Sequence, residues 1–257
     1  MSVKAVMMAA GVGRRLGGGQ DAAPKVLLKF GGKTLLHRHI ENLQATGVRE
    51  LVLGVGYRAD SIRDELAAIG AQDFVRTVFN PDFNEGSVLT LWNLRQDVAG
   101  GGPVLLMDAD VLYHAEVLRR LIASPIANCF VMDREFEAGD EPVKLCLARG
   151  QLVDFHKMPA VAFDECGEWV GFVKMSADMA AKAVAAAQQL IESGRREAYY
   201  EEALRALVRE LPPGSFGVED ITGLPWIEID FTGDVERAAA EILPRLGTPF
   251  ALPRKGI

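Results

Sequence analysis

Two hydrophobic rhythms divide the chain. In the first half, short runs rich in Val, Ile and Leu alternate with segments whose apolar residues recur every three to four positions. Val3–Met8, Leu51–Val55, Phe74–Phe79 and Val104–Met107 read as strands. Leu35–Ala45, Ser61–Ile69, Ser87–Gln96 and Ala115–Ile122 read as helices. Gly47 and Gly70 supply stop signals, and Ser61 with Asp64 has the spacing of a capping box. Near-continuous apolar strands between helices predict a parallel sheet covered on both faces.

After Ala127 the rhythm changes. Cys129–Met132, Val143–Leu147, Leu152–His156 and Glu168–Met175 are strand-like runs separated by turns, expected to pair antiparallel. Ser176–Glu192 reads as a long Ala-rich helix ended by Gly194, and Ala198–Arg209 as another. Phe216–Glu219 and Trp226–Asp230 read as short strands, and Val235–Leu243 as a last helix. The expected fold is therefore α/β and Rossmann-like: a mostly parallel central sheet flanked by helices, with a small antiparallel lobe. A single domain over residues 1–257 is expected, with halves at 1–127 and 128–257, and no repeat or low-complexity linker interrupts it.

Composition narrows the partners. The net charge is −7 and no Lys/Arg cluster stands out, which argues against nucleic acid and anionic membrane surfaces. No apolar run reaches the roughly 18 residues needed to span a bilayer, and Ala5–Ala10 is too short for a signal peptide. A cytoplasmic protein is expected. Cys129, Cys146 and Cys166 are far apart and form no CxxC, so inert thiols are expected. The four His residues show no zinc spacing.

In open parallel sheets, ligands bind beyond the C-terminal ends of the strands. The segments to inspect are thus Gly11–Lys25, Asn80–Ser87 and Asp108–His114. The first is glycine-rich and follows a strand. Gly11 and Gly13 let backbone amides close on phosphate oxygens, and Arg15 and Lys25 bring positive charge. A plain turn with solvated arginines is the competing reading. A dinucleotide fingerprint is disfavoured, because Leu16 stands where its third glycine belongs. Asp108 and Asp110 lie two apart at the end of an apolar strand, suited to Mg²⁺ on substrate phosphates or, more simply, to capping a helix. Glu228 and Asp230 alternate in a strand and so share a face. Asn80–Ser87 is a turn with Ser87 as a plausible cap.

Ala9-Ala10-Gly11-x-Gly13-x-Arg15-Leu16, followed by Pro24-Lys25, resembles the signature of nucleotidyltransferases that make sugar nucleotides and CDP-alcohols. The resemblance runs along essentially the whole chain and implies the nucleotide-diphospho-sugar transferase type of fold. It implies a nucleotide site at Ala9, Ala10, Gly11, Gly13, Arg14, Arg15, Lys25 and Asp108, with Gly86 and Ser87 against the base. It implies Mg²⁺ on Asp110 and Asp230, with Glu228 in reserve, and a catalytic set of Lys25, Arg15, Asp110 and Asp230. Lys144, Lys157, Glu168, Trp169 and Glu228 are the expected acceptor contacts.

The 80–87 loop is more similar to CTP-using members, and the whole is closest to phosphocholine, aminoethylphosphonate and inositol-phosphate cytidylyltransferases. The implied partners are CTP and a small phosphorylated or phosphonate alcohol, with pyrophosphate released; a homodimer is compatible. An ammonium-bearing acceptor would want an acidic or aromatic cage, with Asp82, Glu85, Tyr113, Asp133, Glu135, Glu168 and Trp169 as candidates. The alternatives are a sugar-1-phosphate nucleotidylyltransferase using another triphosphate, a glycosyltransferase using the Asp-x-Asp, and an inactive relative.

Overall fold

The computed structural model describes residues 3–16, 22–137 and 139–247. The strands are β1 (Lys4–Ala9), β2 (Lys29–Phe30), β3 (Lys33–Thr34), β4 (Leu51–Val55), β5 (Val75–Phe79), β6 (Val104–Asp108), β7 (Val111–Tyr113), β8 (Cys129–Asp133), β9 (Lys144–Ala148), β10 (Gln151–His156), β11 (Glu165–Met175), β12 (Gly217–Asp220) and β13 (Trp226–Glu228). The helices are α1 (Leu35–Ala45), α2 (Ala59–Ala68), α3 (Ser87–Asn93), α4 (Arg95–Val98), α5 (Glu116–Ala123), α6 (Ala177–Glu192), α7 (Glu201–Glu210) and α8 (Thr232–Arg237).

Among the described residues, a nine-stranded sheet runs β10-β9-β11-β6-β1-β4-β5, with β8 joined to β11 and β12 to β8. The four strands β6, β1, β4 and β5 are mutually parallel, as expected from their apolar runs. The antiparallel part is continuous with them, because β11 pairs with β6 along one stretch and with β9 and β8 along others. Two short ribbons, β2–β3 and β7–β13, stand apart from the sheet.

The strand period of two divides the core. Ala5, Met7, Leu51, Leu53, Leu105 and Met107 face one layer, with α1, α2 and α5. Val6, Val52, Val104 and Leu106 face the other, with α3, α6 and α7. All ten of these strand residues are essentially inaccessible, so sheet and helices form a close-packed frame behind the strand ends.

Several element boundaries differ from the sequence expectation, each for a local reason. Helix α2 starts at Ala59 rather than Ser61, because Arg58 takes a left-handed conformation and its carbonyl accepts from Ser61 N. Helix α3 stops at Asn93, whose side chain turns back to the Leu89 carbonyl and across to Asn80. Residues 195–198 form a turn closed by Ala198 N on the Arg195 carbonyl, and the carbonyls of Arg196 and Ala198 accept from Gly86 N and Val88 N, so α7 begins only at Glu201. Ser176 caps α6 by accepting from Met179 N. The last helix begins at Thr232 and gives way to one wide turn over Ala238–Ile242.

Candidate active site

The ends of β1 and β6 and the β7–β13 ribbon converge on one cleft of about 420 Å³. Ribbon pairing is what assembles it. Glu228 pairs with Val111, and Ile229 N donates to the Asp110 carbonyl at 2.9 Å. The carboxylates of Asp110, Glu228 and Asp230 thereby meet, with one oxygen from each within 4.8 Å of the others.

Lys25 enters this acidic corner from the other side. Its Nζ donates to Asp230 Oδ1 at 2.6 Å and to Asp110 Oδ2 at 2.9 Å. Gly13 makes the route possible. With φ at +65°, a Cβ placed there would sit 3.1 Å from the Lys25 Cγ, so a side chain would crowd the lysine stem. Burial acts to lower the Lys25 pKa, but Asp110 and then Asp230 outweigh it and hold the ammonium above the ordinary lysine value. Glu228 is pushed well up, first by burial and then by Asp110 and Asp230. Three crowded carboxylates with a single ammonium between two of them form a cradle for hard cations, and the donor set is all oxygen. The lysine stands in it as a cation, which is the fit expected for a divalent ion on the same oxygens.

Asp108 turns away from that corner. It accepts a 2.8 Å hydrogen bond from the Tyr200 hydroxyl, and burial, followed by Glu201 and Asp110, raises its pKa well above the ordinary aspartate value. Tyr200 N in turn donates to Ser87 Oγ at 2.9 Å, tying the start of α7 to the start of α3. Glu201 also faces the cleft. Its Oε2 is buried with no hydrogen-bond partner among the described residues, and burial raises its pKa.

A second cavity of about 760 Å³ adjoins the first, and Glu141, Glu228 and Asp230 line both. Asp133, Glu135, Glu137, Glu168 and Asp234 add to its acidic wall, and Phe136, Trp226 and Phe231 supply aromatic faces. Its two arginines are already committed. Arg134 pairs with Glu165 and, at 2.6 Å, with Asp220, while Arg237 lies 3.7 Å from Glu137. Burial and then Asp133 push the Glu168 carboxyl up to about 7. At the junction, Arg15 (3.3 Å) and Lys157 (3.1 Å) both reach Glu141, and Arg15 also reaches Asp230 at 3.3 Å.

A model of the MobA-like NTP transferase domain matches residues 5–160, more than half of the chain. The chain belongs to that family. Relatives of this NTP transferase domain include the CMP-5'-(3-aminopropyl)phosphonate synthase of Streptomyces rubellomurinus, 29% identical over 94% of this chain and 39% of that protein. This chain thus spans less than half of the Streptomyces protein. The CTP:phosphoglutamine cytidylyltransferase of Campylobacter jejuni is 21% identical over 91% of this chain and 98% of its own length. In structure, the CTP:phosphocholine cytidylyltransferase of Streptococcus pneumoniae superposes with a TM-score of 0.73 at 21% identity, covering 93% of this chain and 98% of that one. That likeness is one of fold, and the mixed α/β architecture read from the sequence is the one found.

In this NTP transferase domain, Ala9, Ala10, Gly11, Gly13, Arg15, Lys25, Ser87 and Asp108 all line the first cleft, as do Asp110, Lys157, Glu228 and Asp230. Arg14 has its backbone in a short turn, and its side chain lies outside the described residues, as do residues 17–21 of the loop.

Three expected contacts point elsewhere. Gly86 packs on the backbone of residues 196–198, where a Cβ would meet the Ala198 carbonyl oxygen at 2.2 Å, so the close approach it permits is internal. Trp169 is buried in the second core layer with its indole N–H on the Phe172 carbonyl. Lys144 spends its ammonium on the carbonyls of Gly139, Pro142 and Lys157, closing a loop. Of the candidate cage residues, Asp133, Glu135 and Glu168 converge in the second cavity. Asp82 and Glu85 pair with Arg196 instead, and Tyr113 is buried beside His39.

Glu141, Tyr200 and Glu201 are site residues that no motif marked. Tyr200 and Glu201 follow a polar stretch just before a helix, and their only sequence signal is acidic charge in a first helical turn. The thiols are not part of the site: burial pushes Cys129 up to about 11 and Cys146 up to about 12. No helix among the described residues is long and apolar enough to cross a membrane.

Proposed function

We propose that this chain is a cytidylyltransferase that transfers CMP from CTP to a small alcohol bearing a phosphate or phosphonate, releasing pyrophosphate. The observation that carries the proposal is the meeting of Lys25 with Asp110 and Asp230 at the mouth of the Gly11–Gly13 turn. Support for CTP and for this acceptor class comes from the names of the relatives, which include a CMP-phosphonate synthase and cytidylyltransferases.

The acceptor oxygen attacks the α-phosphorus, a new P–O bond forms, and the bond to the β-phosphate breaks with its electron pair leaving on pyrophosphate. The attacking oxygen is ionised near neutral pH, so positioning and charge neutralisation are the chain's tasks. Mg²⁺, held by Asp110 and Asp230 with Glu228 beside them, would supply positive charge at the α-phosphate. Lys25, released from the two carboxylates, faces the leaving phosphates together with the amides of the Gly11–Gly13 turn. Ser87, at the mouth of α3, is the base-side contact, and Tyr200 keeps Asp108 in place.

For the acceptor, the second cavity favours an amine. An acidic and aromatic wall whose arginines are spoken for suits an ammonium or quaternary ammonium group. Arg15 and Lys157, at the junction of the two cavities, are placed to receive the acceptor's phosphate or phosphonate. In this structure both pair with Glu141, whose side chain is 62% exposed.

The test is pyrophosphate release with Mg²⁺ from each of CTP, UTP, GTP and ATP, against phosphocholine, 2-aminoethylphosphonate, inositol phosphate and hexose 1-phosphates. Release from CTP with an amine-bearing acceptor is expected. Release only from another triphosphate with a hexose phosphate would overturn both the base and the acceptor assignments.

A further inference from the structure

His39 lies on α1 with none of its surface exposed. Both ring nitrogens are engaged, Nε2 at 3.2 Å from the Ala109 carbonyl oxygen and Nδ1 at 3.2 Å from the Tyr113 hydroxyl. Only one tautomer satisfies both contacts. A carbonyl has no hydrogen to give, so Nε2–H donates to Ala109, and the Tyr113 O–H donates to the Nδ1 lone pair. Burial raises the pKa of the Tyr113 hydroxyl, and Asn42, one turn along α1, acts less strongly to lower it. Burial lowers the imidazole pKa to about 4, so the neutral ring needed for this chain of bonds is present at ordinary pH.

Ala109 is the residue between Asp108 and Asp110. Its carbonyl would be an orphaned buried acceptor without His39, and its peptide sets the direction in which both carboxylates leave the end of β6. Helix α1 also packs against the short turn Lys25–Leu27, whose lysine reaches Asp110 from the cleft. One helix thus contacts both segments that carry the Lys25–Asp110 pair, the peptide before Asp110 and the turn that begins at Lys25. A leucine of similar size would fill the core at this point without the cost of burying an imidazole.

We propose that His39 is a positioning residue for the carboxylate corner: its Nε2–H fixes the peptide between Asp108 and Asp110, and Tyr113 holds the tautomer that makes this possible. The metal side of the proposal rests on the reading of Asp110 and Asp230 as ligands given above.

The experiment compares full-length wild type with His39→Phe, His39→Gln and Tyr113→Phe. It measures thermal midpoint, Mn²⁺ affinity by electron paramagnetic resonance without substrates, and kcat and KM for pyrophosphate release. Loss of outer-shell partners commonly weakens metal binding about 10- to 100-fold. That loss is expected for His39→Phe in both Mn²⁺ affinity and kcat, with KM for the triphosphate little changed. His39→Gln places an amide N–H near the Nε2 position and is expected to recover most of both. Tyr113→Phe, the gentler change, is expected to fall between them and carries the test if His39→Phe does not fold.

A purely packing role predicts the opposite order, with Phe retaining Mn²⁺ affinity and kcat and Gln lowering only the thermal midpoint; that result overturns the proposal. Absence of Mn²⁺ binding by the wild type would also overturn it. If no substrate pair releases pyrophosphate while His39→Phe still loses Mn²⁺, positioning stands and the proposed reaction falls.

Discussion

Lys25 Nζ lies 2.6 Å from a carboxylate oxygen of Asp230, a residue 205 positions further along the chain. The same ammonium bonds Asp110, so the lysine engages two of the three acids in the corner with its single charge. A divalent cation on those oxygens has to displace it. Lys25→Met is therefore expected to bind Mn²⁺ more tightly than wild type when no nucleotide is present, by on the order of tenfold, the scale of about 1.4 kcal/mol. Turnover of the same variant should fall by about 10²- to 10³-fold, because positive charge aimed at the leaving group is gone. Titration of Mn²⁺ beside a steady-state assay checks both. Weaker Mn²⁺ binding in the variant would contradict the competition.

Asp110→Ala removes the carboxylate shared by the lysine and the metal corner. Turnover is expected to drop by at least about 10²-fold, with circular dichroism unchanged, since the side chain is partly exposed and packs in no core layer. A variant retaining most of its activity would sink the ligand assignment.

Two groups whose pKa is shifted by burial should tilt stability with pH in opposite directions. His39 has its pKa lowered from 6.5 to about 4, so between those values the unfolded chain binds more protons, and stability is lost as pH falls through that window. Glu168 has its pKa raised from 4.5 to about 7, so there the folded chain binds more protons, and stability is lost as pH rises. Relative to wild type, His39→Phe should therefore gain at pH 4, and Glu168→Gln should gain above pH 7. Denaturant unfolding at several pH values gives both difference curves, and slopes of the same sign would contradict the assignment.

How much of this was legible in the sequence follows from chain geometry. The parallel strands and the residues at their ends were readable, because apolar period and glycine placement are local signals. That Glu228 and Asp230 share a face was also readable, from the period of two in an extended strand. The same rule argues against placing both Glu168 and Trp169 at the acceptor. They are neighbours in β11, so only one can face the cavity, and the indole takes the core. Lys144 looked like a free cation because nothing local reveals that the 139–142 loop would fold over its ammonium. Tyr200 and Glu201 reach the cleft through the pairing of residues 86–88 with 196–198, a contact across more than a hundred positions that leaves no periodic trace.

Gly86 holds that contact. Adding a methyl group would drive it into the backbone of Glu197 and Ala198, which cannot give as a side-chain tip would. Gly86→Ala is expected to cost about 1–3 kcal/mol and to raise KM for the triphosphate by loosening Tyr200 and Ser87. A thermal melt with a KM measurement checks this, and an unchanged midpoint would mean that the segment is held elsewhere.

Glu168 also offers a way to probe the acceptor's amine. If an ammonium group sits in the second cavity, Glu168→Gln should raise KM for amine-bearing acceptors about 3- to 10-fold, the scale of one partly desolvated charge contact. KM for CTP and for a deaminated analogue of the acceptor should stay the same. Equal effects on amine and deaminated acceptors would place the amine outside this cavity.

The decisive measurement is phosphorus NMR of CTP incubated with Mg²⁺, the protein and an amine-bearing phosphate or phosphonate. Cytidylyl transfer predicts equal amounts of pyrophosphate and of a cytidine-linked anhydride whose α-phosphorus is now bonded to the acceptor's phosphate or phosphonate oxygen, with neither forming when Asp230 is replaced by Asn. Appearance of CMP and pyrophosphate with an unaltered acceptor, or of no product while Asp110 and Asp230 are intact, would contradict it.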